Sequence, residues 1–145
     1  MSYEFIKSIE GNEFYRLDKA EVKLVESELG IEFPVSLKDF YNEIGYGFLK
    51  NSGSNVNRLM DPESVRDFRL RTNDFEFFPD IEIYDEYEED KLIFFEASET
   101  ALMAIGTTKT DNKIYYYDVP IAGSLEEFLL KMMEDDKYYL ELFER

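Results

Sequence analysis

The sequence predicts an α+β domain: a mostly antiparallel sheet with helices packed around it. Three observations lead there. Apolar residues recur at helical spacing through the first half, between clear start and stop signals. The second half switches to short apolar runs of strand length, and one last amphipathic helix closes the chain.

Taken in order, Ser2 is placed to cap a short helix whose Phe5, Ile6 and Ile9 share a face. Asp18 and Glu21 form a capping-box pattern ahead of Val22, Val25 and Leu29, and Gly30 supplies the stop. After Pro34, Ser36 opens a helix in which Leu37, Phe40, Tyr41 and Ile44 follow the i, i+3, i+4, i+7 spacing, ended by Gly45. Asp61-Pro62 reads as a cap followed by proline at the first helical position, leading to Val65 and Phe68. Leu92-Ile93-Phe94-Phe95, Ala101-Leu102-Met103-Ala104-Ile105 and Lys113-Ile114-Tyr115-Tyr116-Tyr117 are then three strands of a meander. Ser98-Glu99 and residues 106–112 are the turns between them. In the last of these strands Tyr116 faces opposite to its neighbours. Ser124 with Glu127 opens the final helix, which buries Leu125, Phe128, Leu129, Met132 and Met133 as core filler. No repeat or linker divides the chain, so residues 1–145 are expected to form one domain.

A chain of 145 residues buries about 70% of its unfolded surface. With 44% apolar and 17% aromatic residues it has the material for a core, so its charge belongs on a folded surface and not to a disordered chain. That charge is extreme: 33 Asp and Glu against 16 Lys and Arg give −17. Such a field repels nucleic acid and anionic membranes and attracts basic proteins. His and Cys are absent, which removes the commonest general base, thiol nucleophile, zinc ligand and disulfide. The expectation is a protein-binding protein without catalytic activity. No apolar run reaches membrane-spanning length and residues 1–10 lack a signal-peptide pattern, so a cytoplasmic location is expected.

Two segments carry a family resemblance. Leu29-Gly30-Ile31-Glu32-Phe33-Pro34, then Leu37-Lys38-Asp39-Phe40-Tyr41 and Gly45-Tyr46-Gly47, resemble the N-terminal signature of the SUKH superfamily. Ile105-Gly106, Lys113-Ile114-Tyr115-Tyr116-Tyr117-Asp118 and Ala122-Gly123-Ser124-Leu125-Glu126-Glu127-Phe128-Leu129 are similar to its closing strands and its Ser-x-x-x-Phe-Leu helix. The resemblance implies a SUKH-like fold. In bacteria it implies an immunity protein that neutralises a cognate toxin, often a nuclease, by stoichiometric binding. Some eukaryotic relatives are regulatory scaffolds, which is the alternative reading. No catalytic residue carries over.

Residues 74–90 lie outside the shared pattern and hold nine acids, no base and five aromatics: Phe75, Phe77, Phe78, Tyr84 and Tyr87. Ile81-Glu82-Ile83 alternates like a strand, so the segment reads as an extended arm running into an exposed acidic loop. The candidate contact residues for a basic toxin are Asp80, Glu82, Tyr84, Asp85, Glu86, Tyr87, Glu88 and Glu89. Their carboxylates would occupy the field that a nuclease presents to phosphates, and the tyrosines would serve as anchors. A solvated charge run with its tyrosines tucked against the sheet is the competing reading.

Asp80, Glu82 and Asp85 are spaced loosely like a calcium loop but lack its turn glycine and terminal glutamate, so no metal or cofactor is expected. Among so many acids, a carboxylate pair suited to hydrolysis signals nothing. Ser52-Gly53-Ser54 and Gly45-Tyr46-Gly47 lack the Lys-Ser/Thr of a phosphate loop. Four of the six arginines, Arg58, Arg66, Arg69 and Arg71, are gathered within fourteen residues. They form either a site for an acidic or phosphorylated ligand or counter-charges for the arm, and the second reading is preferred.

Overall fold

A computed structural model describes residues 3–53, 55–98 and 101–144. The proposed Ser2 cap lies outside these residues, as do Ser54 and Glu99. Helix α1 (Glu4–Lys7) buries Ile6 and leads to strand β1 (Glu13–Tyr15). Helix α2 (Lys19–Leu29) begins as the sequence predicts. The Asp18 carboxylate accepts from the Ala20 N–H at 2.9 Å, and Gly30 closes the helix at φ 70°, in the left-handed region that favours glycine. Helix α3 (Val35–Glu43) starts at Val35, one residue before Ser36, with Pro34 at its N-cap. Ser36 is therefore not the cap: it sits inside the first turn, and its buried hydroxyl has no hydrogen-bond partner among the described residues.

Strands β2 (Tyr46–Phe48) and β3 (Arg58–Leu59) follow, and then helix α4 (Pro62–Leu70), with Asp61 at its cap and proline at its first position. The long strands β4 (Lys91–Ser98) and β5 (Ala101–Gly106) pair with each other, followed by β6 (Ile114–Tyr116) and β7 (Val119–Ala122). Helix α5 (Leu125–Glu134) carries the expected capping box: Ser124 Oγ accepts from the Glu127 N–H at 3.1 Å. The Glu127 carboxylate reaches back to the Gly123 N–H, one residue beyond the usual partner. Helix α6 (Tyr138–Glu144) ends the described chain. Among the described residues no helix is long and apolar enough to cross a membrane.

The seven strands form one antiparallel sheet in the order β1-β2-β3-β4-β5-β6-β7, a full meander in which each strand pairs with its neighbour in sequence. Four of them, β1, β2, β3 and β7, are absent from the sequence reading, as is α6. Three of those strands have three residues or fewer, too short for alternation to register. Gly47 shows what joins the first two. At φ 149° it faces Phe14 across the pair, and a Cβ there would fall on the carbonyl of Glu13.

Both faces of the centre are covered, since every residue of β5 is buried. Between Ile93 and Phe95 the register of β4 shifts by a bulge. Successive side chains of a regular strand face opposite sides, but here Phe94 and Phe95 both meet Phe128 of α5, with ring centres 6.1 and 5.0 Å away. At the other end of the core, Phe40 of α3 packs edge-on against Tyr3 and Phe14. Buried Tyr41 donates from its hydroxyl to the Met60 carbonyl at 2.7 Å, and burial pushes its pKa well above the ordinary value.

Candidate interaction surface

Residues 74–90 are not an extended arm. They fold into three short 3₁₀ turns, Asn73–Phe75, Ile81–Tyr84 and Glu86–Glu88, laid against α4 and the start of β4. The alternation at Ile81-Glu82-Ile83 misleads for a geometric reason. With three residues per turn, Ile81 and Tyr84 share the inward side, which leaves Glu82 and Ile83 facing out.

Phe68 of α4 anchors the segment. Its ring lies 5.1 Å from Phe75, 5.9 Å from Phe78 and 5.7 Å from Tyr84, each edge-on. Tyr84 in turn stacks on Tyr117, with centroids 5.7 Å apart and planes within 12°. Tyr117 reaches that position because it leaves the strand at φ 57°, so the expected alternation of the tyrosine run ends at Tyr116. On its other side Tyr117 meets Phe143 of α6 at 5.4 Å, and Tyr116 packs on Tyr139 at 5.0 Å.

Arg71 clamps the acids. Its guanidinium donates to Asp85 at 2.7 Å, to Glu88 at 2.9 Å and to the Phe68 carbonyl at 2.6 Å, while lying 5.0 Å from the centre of the Phe68 ring. Arg69 binds backbone instead, donating to the carbonyls of Glu88 and Lys91. Burial pushes the Glu88 carboxyl up, and Arg71 offsets part of that shift. The other two arginines do not face the segment. Arg58 pairs with Asp61 and Glu96, and Arg66 with Glu28, Glu63 and Asp67.

Of the eight predicted contact residues, Asp80, Glu82, Asp85, Glu86 and Glu89 are exposed and Tyr87 is half-buried, tilted on Tyr117 at 5.9 Å. Tyr84 and Glu88 turn inward, so they hold the segment in place and do not present a surface. The residues the sequence reading missed are apolar. Phe77 is 88% exposed and Ile83 is 45% exposed, and they border a groove of about 640 Å³ that Asp74, Asp80, Phe78 and Tyr117 also line. A second hollow of about 400 Å³ shares Ile83 and Tyr117 with it and continues past Glu86, Asp118 and Phe143. The result is an aromatic surface rimmed by carboxylates. Phe77 stands in sequence among Phe75, Phe78 and Ile81, and nothing in that local pattern marks it as the exposed ring.

Among the described residues, one carboxylate cluster is tight enough to hold a cation: Glu21, Asp61 and Glu63, beside α2 and α4. Asp80, Glu82 and Asp85 do not converge in that way. Burial raises the Glu21 pKa, and repulsion from Asp61 and Glu63 adds to it, while Arg58 and Ser64 already engage Asp61 at 3.1 and 2.6 Å.

Comparison with known proteins bears on what such a surface is for. A family model described as SMI1-KNR4 cell-wall (SUKH_6) matches residues 19–129, which take in α2 through the first half of α5 and include the acidic segment. The chain is also 59% identical, over 145 residues and 99% of each sequence, to the immunity protein YxxD of Bacillus subtilis (strain 168).

Proposed function

The chain belongs to the SUKH (SMI1-KNR4) family, and on that premise we propose that it is an immunity protein that neutralises a cognate toxin by binding it. The observation that carries this reading is the full-length similarity to a protein of that name, because function is being read from a close relative and not from a shared fold. The toxin domain is basic and is a nuclease. Its positive, phosphate-binding face meets the carboxylates around the groove, and stoichiometric occlusion blocks it in the cytoplasm of the producing cell. A net charge of −17 supports this, since it steers a basic partner inward and raises association toward ~10⁸ M⁻¹s⁻¹ at low salt. The protein acts without catalysis. It has no His or Cys, and Glu88, the one buried carboxylate of the segment, is held by Arg71.

The test is capture followed by neutralisation. Tagged protein is purified from its native host at low salt, the bound polypeptides are identified by mass spectrometry, and each captured candidate is expressed in a naive host with and without this chain. A polypeptide with a basic C-terminal domain that kills alone and is silenced at a one-to-one ratio is the expected result. Capture of housekeeping factors alone, under conditions where the toxin is made, would favour a regulatory scaffold and defeat the proposal.

A further inference from the structure

We propose that the groove between the Asn73–Phe75 and Ile81–Tyr84 turns receives an arginine side chain from a basic segment of a protein partner. The partner is the toxin of the proposed function, so the inference rests on that reading. Four features of the groove select the occupant.

Phe77 is the most exposed large apolar side chain among the described residues, and it stands at the groove with nothing covering its ring. The other apolar walls, Phe78 and Ile83, suit the aliphatic stem of a long side chain. The charged residues on the walls are Asp74 and Asp80, both acidic and both exposed. A purely apolar occupant would strip water from these two carboxylates and give nothing back, and an anionic one would add repulsion. A cation therefore fits where neither of the others does. Arginine fits better than lysine, because a planar guanidinium is weakly hydrated, stacks on an aromatic face and bonds carboxylates along its edge. The same segment already holds one arginine in this way: Arg71 lies over the Phe68 ring while its edge binds Asp85 and Glu88. The groove offers the same kinds of component, an aromatic face and two carboxylates, without an arginine from this chain among its lining residues.

The test needs no identified toxin. The full chain, labelled with ¹⁵N, is titrated with the capped peptide acetyl-Gly-Gly-Arg-Gly-Gly-amide and with its lysine and norleucine analogues. Saturable amide shifts are expected at residues 73–84 and Tyr117, strongest for arginine and absent for norleucine. The Phe77→Ala/Asp80→Asn double variant, both sites being exposed, should keep the fold and weaken arginine-peptide binding by about tenfold or more. Glu134→Gln removes one charge elsewhere and should leave binding unchanged. Four outcomes would overturn the assignment. They are shifts spread over the acidic surface and equally weakened by Glu134→Gln, equal binding of the norleucine peptide, self-association that Phe77→Ala abolishes, and no binding at millimolar peptide. A captured toxin separates this inference from the proposed function. Full protection by the double variant would discard the groove and keep the immunity reading. Failure of the unaltered chain to neutralise any captured protein would discard the immunity reading, whatever the peptide does.

Discussion

Asp136 is 7% exposed, and its carboxylate accepts from the Ser52 N–H at 2.8 Å, the Ser52 hydroxyl at 2.5 Å and the Asn57 side-chain amide at 2.8 Å. It ties the turn between α5 and α6 to the loop after β2, around an Asn57 held at φ 50°. Burial opposes ionisation here, but those donors outweigh it and hold the carboxyl below the ordinary aspartate value. A depressed folded pKa contributes stability that is complete above the unfolded value, about 3.9, and is lost as pH falls through the folded one. Replacing Asp136 with Ala should therefore cost about 1.5–3 kcal/mol at neutral pH, read from urea unfolding. The gap from the unaltered protein should be constant above about pH 5 and narrow below about pH 4; a gap that stays constant to pH 3 would show the carboxylate is not the source. The apolar counterpart is Phe40, fully buried between Tyr3 and Phe14. Phe40→Ala should cost about 3–5 kcal/mol, and a loss under ~1 kcal/mol would mean the α3 face is not core.

At the scale of elements, two arginines hold the acidic segment: Arg69 binds its backbone at Glu88, and Arg71 binds its carboxylates. Arg71 pairs with Glu88, which is nearly buried, and with Asp85, which is exposed, so the clamp falls between the buried and surface limits, and Arg71→Ala should cost about 1–3 kcal/mol. The loss should be local: hydrogen exchange should quicken across residues 74–88 while the amides of β4 and β5 keep their protection. Arg71→Lys should not restore it, because an ammonium cannot bond two carboxylates and a carbonyl while stacking on Phe68. Uniform exchange across the molecule in either variant would mean the segment does not open on its own. The contrast with the helices explains what was legible in the sequence. Asp18 with Gly30, Asp61-Pro62 and Ser124 mark helix ends by chemistry confined to a few neighbouring residues, and each sits at its expected boundary. The strands β1 to β3 owe their existence to pairing across dozens of residues, as Gly47 does opposite Phe14, and no local pattern records that. The acidic segment was visible as a composition but not as a shape. Its turns depend on Phe68 and Arg71, both supplied by a helix that precedes it.

For the whole molecule the controlling quantity is the charge of −17, which acts on folding and on encounter in opposite directions. Like charges crowd a compact chain, so raising ionic strength screens self-repulsion and should stabilise the free protein. The same screening weakens the attraction that draws in a basic partner, so association should slow as salt rises while dissociation changes little. Separating steering from fold requires acids that no structural contact uses. Asp85 and Glu88 fail that condition because Arg71 binds both, and reversing them would loosen the segment as well as its field. Glu82 and Glu89 meet it, being exposed on the outer side of the turns, whereas Glu86 does not, because the Tyr87 hydroxyl bonds to it. Changing these two to Lys should leave the unfolding free energy within about 0.5 kcal/mol of the original for each site. Association with a captured toxin domain should slow by an order of magnitude or more at ~20 mM salt, and the difference should vanish by ~0.5 M, where the Debye length is below about 5 Å. Stopped-flow mixing at those two ionic strengths reads the effect directly. Equal rates at low salt would place the encounter surface elsewhere on the molecule, and a difference surviving at high salt would mean the two acids make contacts in the complex itself.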